Sequence, residues 1–356
     1  MARLVDPDGA GKAPLLIVGG SAERRGVVTS ASYEARAYGV HSAMPMARAV
    51  RLCPSATVVP VPWEACARKS REIRDVLRRF TPAVEQASSD EFYVDLTGTD
   101  ELYRGEPLAT TARRIRDVVA RETALTVSVG GGTSKLVAKL AAGVAKPRPG
   151  TPADGVRVVA PGAELEFMRQ FALADIPFVG PKFQERLGTL GLRTVVDVLR
   201  YERATLVGWL GQRAGRWLHE RVRGIDHAPV EPNREPKSIS RDETFPQDLA
   251  DDAALAARLR ALADRAAADL REVGLLARTV TVKLRAARRT PARLLGVAVS
   301  QLVTPDARAQ LSLLDEARPL ETERDRTISR VIDEVREKFG PDALGRARGR
   351  PPHGSA

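Results

Sequence analysis

Two adjacent carboxylates open a strand-like run in Ser88-Ser89-Asp90-Glu91-Phe92-Tyr93-Val94-Asp95-Leu96-Thr97. The run alternates with the two-residue period of a β-strand, so Phe92, Val94 and Leu96 are predicted to face a core while Glu91, Tyr93 and Asp95 face the other way. Adjacent carboxylates repel, and each raises the other's cost of ionising. A semi-buried strand tolerates such a pair mainly when a cation is present. Two hard carboxylates suit Mg²⁺, which takes oxygen ligands and leaves positions open for substrate phosphates. Taken alone, such a pair is more often a solvated acidic turn, since Asp and Glu are mostly exposed. The rest of the chain decides between the two.

The 356 residues, 43% of them hydrophobic, leave room for about two to four small domains. Aromatic residues make up only 4%, so the cores must be built mainly of Ala, Leu and Val. A net charge of +11 points to a polyanionic partner, either nucleic acid or an anionic membrane surface. No apolar run approaches the roughly 20 residues of a spanning helix, and Pro14 to Val18 is too short for the core of a secretory signal. Cys53 and Cys66 are the only cysteines, which excludes a disulfide framework and a four-ligand zinc site; a reducing cytoplasm is expected. None of His41, His219, His227 and His353 stands at metal-ligand spacing.

Leu15 to Val18, ended by Gly19-Gly20, is predicted as a buried strand, with Val27-Val28 as its partner. In the following stretch, Ser32 can cap a short helix and Gly39 can end it. Tyr33 and Arg36 are three apart and share a helical face. A hydroxyl beside a guanidinium makes a phosphate clamp, although an exposed Arg beside a packed Tyr has the same pattern. Trp63 to Phe80 and Leu108 to Val119 carry apolar residues at helical spacing. Thr126 to Val129 is predicted as a strand ended by Gly130-Gly131-Gly132, and the next helix carries Lys135 and Lys139 and leads to Lys146-Pro147. Strands and helices here alternate, in an α+β or α/β arrangement.

Pro147 to Gly155 reads as a linker. Beyond it, Ile176-Pro177-Phe178-Val179-Gly180-Pro181 is a turn opening onto a helix that begins at Lys182, a setting that suits a phosphate or a plain helical hairpin. After a second polar linker, Glu231 to Lys237, Ser238 to Thr244 reads as a strand and Ala253 to Val273 as a helix. Arg278 to Leu284 alternates strictly, so Val280, Val282 and Leu284 can be buried while Thr279, Thr281 and Lys283 face out. Leu294 to Leu302 is another strand, and Arg326 to Phe339 a short helix. Gln310-Leu311-Ser312-Leu313-Leu314 has the make-up of a peptide ligand for an apolar pocket, or of a linker over the chain's own core. The end, from Arg346, is basic and expected to be disordered.

In this order, these segments resemble the Y-family DNA polymerases, specifically the DinB branch. Tyr33-Glu34-Ala35-Arg36 with Ser42-Ala43-Met44-Pro45 is similar to the fingers motif. Ser88-Ser89-Asp90-Glu91 with Asp95 is similar to the catalytic motif, and Lys135 to Lys139 with Lys146-Pro147 to the palm helix. Ile176 to Leu187 is similar to the thumb's helix-hairpin-helix. Lys237-Ser238-Ile239 and Ala277 to Leu284 are similar to little-finger strands, and Gln310 to Leu314 to the clamp-binding peptide.

The resemblance implies an α+β, multidomain right-hand polymerase. Fingers and an N-terminal palm remnant would span 1–60, the palm 61–160, the helical thumb 161–232 and a shortened little finger 236–305; the clamp peptide and tail would occupy 306–356. It implies translesion DNA synthesis by two-metal phosphoryl transfer in a monomeric, cytoplasmic enzyme; the alternative is a protein that binds DNA and the clamp without synthesis. Asp90 and Glu91 would be catalytic and hold two Mg²⁺ ions, and Tyr33, Arg36, Ser30 and Lys146 would bind the dNTP. Primer-template DNA would meet Val179, Gly180, Lys182, Arg278, Thr279, Thr281 and Lys283, and the sliding clamp Gln310, Leu311, Leu313 and Leu314.

The sequence departs from the family pattern in three places. The resemblance begins after the family's first strand, which carries a metal-binding Asp, so Asp90 and Glu91 alone are expected to leave two metals under-ligated and primer extension by residues 1–356 weak. Phe178 stands where the hairpin has Gly. Between Leu284 and Leu294 there is space only for a turn, so about one strand and one helix of the little finger are expected to be absent.

Overall fold

The computed structural model describes residues 1–99, 101–147, 153–286, 291–304 and 323–340. The chain divides into two units, Met1–Glu235 and Pro236–Ala356.

The first unit starts with α1 (Ala2–Val5), β1 (Leu16–Gly19), β2 (Val28–Ala31), α2 (Tyr33–Ala37), α3 (Met46–Leu52) and β3 (Thr57–Val59). β1 pairs antiparallel with β2 and parallel with β3, and Ile17, Val28, Ala35, Val40 and Met46 form the core beneath them. Ser32 caps α2 by accepting from the Ala35 N–H, and Gly39 follows the helix at φ +83°, as the sequence predicts.

The chain then runs through α4 (Trp63–Arg78), β4 (Val84–Gln86), β5 (Phe92–Val94), α5 (Leu108–Thr123), β6 (Val129–Gly131), α6 (Lys135–Ala145) and β7 (Val156–Val158). β4 and β5 form one antiparallel pair and β6 and β7 a separate parallel pair. Phe92 and Val94 face the core of Ile73, Val84, Ile115 and Val119, so the alternation read from the sequence holds. The glycine run corrects the expectation of a strand ended by glycine, because Gly130 and Gly131 lie inside β6. The reason is helix-strand proximity: a Cβ on Gly130 would stand 2.1 Å from the Ala138 carbonyl oxygen and 2.2 Å from the Ala142 nitrogen of α6.

The unit is completed by α7 (Glu164–Met168), α8 (Pro181–Thr189), α9 (Val195–Leu199), α10 (Arg203–Leu210) and α11 (Gln212–Arg221). Leu136, Val137 and Leu140 of α6 share one core with Met168, Ile176, Leu187, Leu206 and Leu218, so the helical module is welded to the strand-bearing part by apolar burial.

The second unit contains β8 (Ser238–Leu249), α12 (Asp252–Glu272), β9 (Leu276–Ala286), β10 (Ala292–Val303) and α13 (Glu323–Phe339). Its antiparallel sheet has the order β8-β10-β9. Leu262 and Ala266 of α12 pack on Phe245, Leu295 and Val297. The helix read from the sequence at Arg326 to Phe339 is α13, which follows the hairpin strands and joins α12 through Arg271–Asp333 (2.7 Å) and Arg336–Asp264 (3.8 Å). The structure differs from the sequence reading in one respect. Val280, Val282 and Leu284 are exposed, not buried, because the core that α12 makes with the sheet is built from β8 and β10 and takes in no β9 residue.

Candidate active site

A cleft of about 2430 Å³ opens in the first unit. That is larger than the ~300–1,000 Å³ of a small-molecule pocket, so the cleft has room for a substrate larger than a small molecule. Ser30, Tyr33, Arg36, Asp90, Glu91, Asp95, Lys135, Lys139 and Lys146 all line it.

Asp90 and Glu91 are exposed and stand in the turn before β5, which corrects the expectation of a semi-buried strand position. The reason is local: the Ala87 and Ser88 N–H groups both donate to the Glu91 carbonyl, so pairing begins only at Phe92. The Ser88 hydroxyl donates to Asp90 Oδ1 at 2.7 Å and accepts from the Glu91 N–H at 3.1 Å, which fixes the turn. Asp95 is spent differently. Its carboxylate accepts from the Thr97 N–H at 2.8 Å, and hydrogen bonding by Thr97 holds its pKa below the usual carboxylate value.

Lys139 of α6 donates to both oxygens of Glu91, at 2.8 and 2.6 Å. One helical turn earlier, Lys135 donates to Glu85 at 2.6 Å and to the Pro229 carbonyl at 3.1 Å, and lies 4.6 Å from the centre of the Tyr93 ring. The Glu85 side chain is only 4% exposed. Burial alone would raise its pKa, but the Glu231 N–H, donating at 2.7 Å, and the Lys135 ammonium outweigh burial and hold it below the usual range. Burial raises the Tyr93 phenol; Lys139 opposes that shift, and the carboxylates of Glu91, Glu85 and Asp226 add to it. Glu85 and the two lysines are the site residues to which sequence reasoning gave no role. The four-residue spacing of Lys135 and Lys139 on one helix face was the available signal for the lysines.

Elsewhere in the cleft lining, Tyr33 begins α2 half-exposed and Arg36 donates to the Ala31 carbonyl at 3.0 Å. Ser30 is exposed on β2, and Lys146 is exposed at the end of α6. Among the described residues no group of three or more His, Cys, Asp or Glu side chains gathers as a metal site. Two carboxylates at an open cleft nevertheless fit Mg²⁺, which commonly takes one or two protein carboxylates and completes its shell with water and substrate phosphates.

Of the remaining first-unit candidates, none lines the cleft. Val179 is buried, whereas Gly180 and Lys182 are exposed at the start of α8. In the second unit, Thr279 donates to Gln301 at 3.0 Å and Lys283 to Asp242 at 2.5 Å, while Arg278 and Thr281 are exposed. Gln310, Leu311, Leu313 and Leu314 lie outside the described residues. No helix among the described residues is long and apolar enough to cross a membrane.

The fold is that of the Y-family DNA polymerases. A Y-family DNA polymerase chimera built on Dbh matches with a TM-score of 0.72 at 24% identity, covering 85% of this chain and 95% of that one. DinB from Sulfolobus solfataricus matches with a TM-score of 0.59 over the same shares, also at 24% identity. Family models match in three places: the impB/mucB/samB family over residues 5–143, its C-terminal domain over 236–291, and the DNA polymerase-iota thumb domain over 174–226. The DNA polymerase IV of Alkalilimnicola ehrlichii is 36% identical over 84% of this chain and 91% of its own length. That of Halorhodospira halophila is 42% identical over 76% of this chain and 73% of its own length. The chain belongs to the DNA polymerase IV (DinB) family. It is thus a DNA-directed DNA polymerase of the translesion type, and the non-synthesising alternative is not favoured.

Proposed function

We propose that the cleft of the first unit is where a dNTP is joined to a primer 3′-hydroxyl on a DNA template. One observation carries the reading. Fingers residues Ser30, Tyr33 and Arg36, the carboxylates Asp90 and Glu91, and the α6 lysines come from three distant parts of the sequence and line the same cleft. The nucleotide's triphosphate is taken by Tyr33, Arg36, Ser30 and Lys146, a hydroxyl and cation set that matches phosphate oxygens. Asp90 and Glu91 would hold Mg²⁺, which would supply activation of the attacking hydroxyl and neutralisation of charge on the phosphates. Lys139 occupies both Glu91 oxygens in the resting site, so it aims the carboxylate and gives way as ligands arrive. Glu91→Gln should lower single-nucleotide incorporation by at least about 100-fold, in line with the several kcal/mol that metal-ion catalysis supplies, while primer-template affinity changes little. Incorporation above a tenth of the parental rate would overturn this assignment.

The duplex is proposed to meet the turn at Val179, Gly180 and Lys182 and, in the second unit, Arg278, Thr279, Thr281 and Lys283. Lys283 would exchange Asp242 for a phosphate. The domain divisions proposed are those implied by the family resemblance. The monomeric protein acts in the cytoplasm, and Gln310, Leu311, Leu313 and Leu314 dock on the replication clamp. Deleting 310–314 should remove clamp-stimulated synthesis and leave clamp-independent synthesis intact. Unchanged clamp affinity after the deletion would place the contact elsewhere.

A further inference from the structure

The turn Ile176-Pro177-Phe178-Val179 closes with the Val179 N–H donating to the Ile176 carbonyl at 3.1 Å. Proline at its second position and φ +71° at its third give it the character of a type II turn. The third position of such a turn favours glycine, because positive φ crowds a side chain against its own backbone. A phenylalanine in that conformation is strained, and the residue is 88% exposed, so packing among the described residues does not offset the strain. Strain of this kind persists where the surrounding structure enforces it, and it clusters at functional sites.

The surroundings do enforce it. Ile176 and Val179 are buried at 2% and 4% exposure, and Gln184 donates to the Val179 carbonyl at 2.8 Å. Pro181 fixes the start of α8. The ring therefore projects from a rigid tip. Lys182 and Arg186 stand exposed on α8 beside one carboxylate, Glu185. α11 packs against the same helix through Phe183 and Trp217, 6.2 Å apart, and carries exposed Arg213 and Arg216, the latter paired with Glu220 at 3.1 Å. An apolar tip in cationic surroundings is complementary to one kind of surface in particular, a duplex groove, where two rows of phosphate flank apolar sugars and base edges.

We propose that Phe178 is a groove wedge: its ring packs on sugars and base edges in the minor groove of the primer-template duplex. It would add a salt-insensitive contact to an interface that is otherwise ionic. The minor groove fits because its base-edge pattern is degenerate, so the contact serves any sequence. The proposal rests on the reading of this hairpin as a DNA contact.

The test uses the full chain with Phe178→Gly, Phe178→Leu and Phe178→Trp, reading thermal unfolding and the anisotropy of a labelled primer-template over a salt series. Phe178→Gly should raise Tm, because glycine relieves the positive φ. It should also weaken DNA binding about 5- to 50-fold at every salt concentration, the range that loss of an aromatic nucleic-acid contact produces, without changing the slope of log affinity against log salt. Phe178→Trp should retain parental affinity and Phe178→Leu fall between. Affinity of Phe178→Gly within twofold of the parent would overturn the wedge. A lowered Tm would overturn it by showing that the ring serves the fold, and a shallower salt slope by showing that the variant loses phosphate contacts instead. If the parent itself shows no salt-dependent binding to primer-template, the DNA-binding reading of the hairpin fails, a result distinct from all of these.

Discussion

Two lysines one helical turn apart do different work. Lys139 meets the exposed carboxylate of Glu91, proposed above as a metal ligand, whereas Lys135 meets Glu85, which is buried and accepts from the Glu231 N–H as well. Removing one partner of a buried pair strands a charge, so Lys135→Met should destabilise the protein by about 3–5 kcal/mol, and Lys135→Met with Glu85→Gln by much less. Chemical denaturation of both variants checks this, and equal losses would refute it. The Glu85 carboxyl is held below its ordinary value of 4.5 in the folded state. Its contribution is therefore fully present above that value and is lost as pH falls through the lower, folded pKa. Stability of the Glu85→Gln variant should accordingly fall less than the parent's as pH drops below about 4.5. Identical acid profiles would mean that Glu85 is not part of the acid response. Tyr33, Arg36 and the Ser32 cap were legible as residues, because each acts through neighbours within one turn. The Lys139–Glu91 contact, spanning 48 positions, was not.

At the scale of elements, β6 and α6 form one device. The strand must be glycine at position 130 because the helix backbone lies against it, and the helix must lie there for Lys135, Lys139 and Lys146 to line the cleft. Gly130→Ala should cost at least the roughly 1–3 kcal/mol of ordinary overpacking, since backbone on both sides of the clash has to move. The same variant should lose nucleotide incorporation in proportion, even though residue 130 bears no chemical group. Unaltered melting would show that α6 can back away freely. A pattern of glycines could not disclose this, since the same three residues serve equally as a turn until a neighbouring backbone is known.

The net charge of +11 is a property of the whole molecule. It predicts sequence-independent DNA binding whose affinity falls steeply with salt, as lysines and arginines displace counterions from phosphates. A primer-template titration between low and high ionic strength checks this, and an affinity independent of salt would contradict it. Lys283–Asp242 and Arg241–Asp269 show that part of the basic surface of the second unit is internally neutralised. The slope should therefore report fewer phosphate contacts than a count of cations suggests.

The sequence by itself determined the helices at Trp63 to Phe80 and Leu108 to Val119, the alternation that turns Phe92 and Val94 toward the core, and the cap at Ser32. Each of these follows from local periodicity or from a motif whose spacing is short. Only the tertiary structure decided that Gly130 lies inside a strand and that α13 is tied to α12 by ion pairs. It also decided that β9 is left as an edge with Val280 and Val282 uncovered, and that Lys139 closes on Glu91. Those outcomes depend on which surfaces meet across the chain, and side-chain burial and ion pairing are fixed by that meeting and not by neighbours in sequence. Phe178 belongs to both: its departure from glycine is visible in the sequence, but its positive φ and outward ring are set by Ile176 and Val179, the buried anchors on either side.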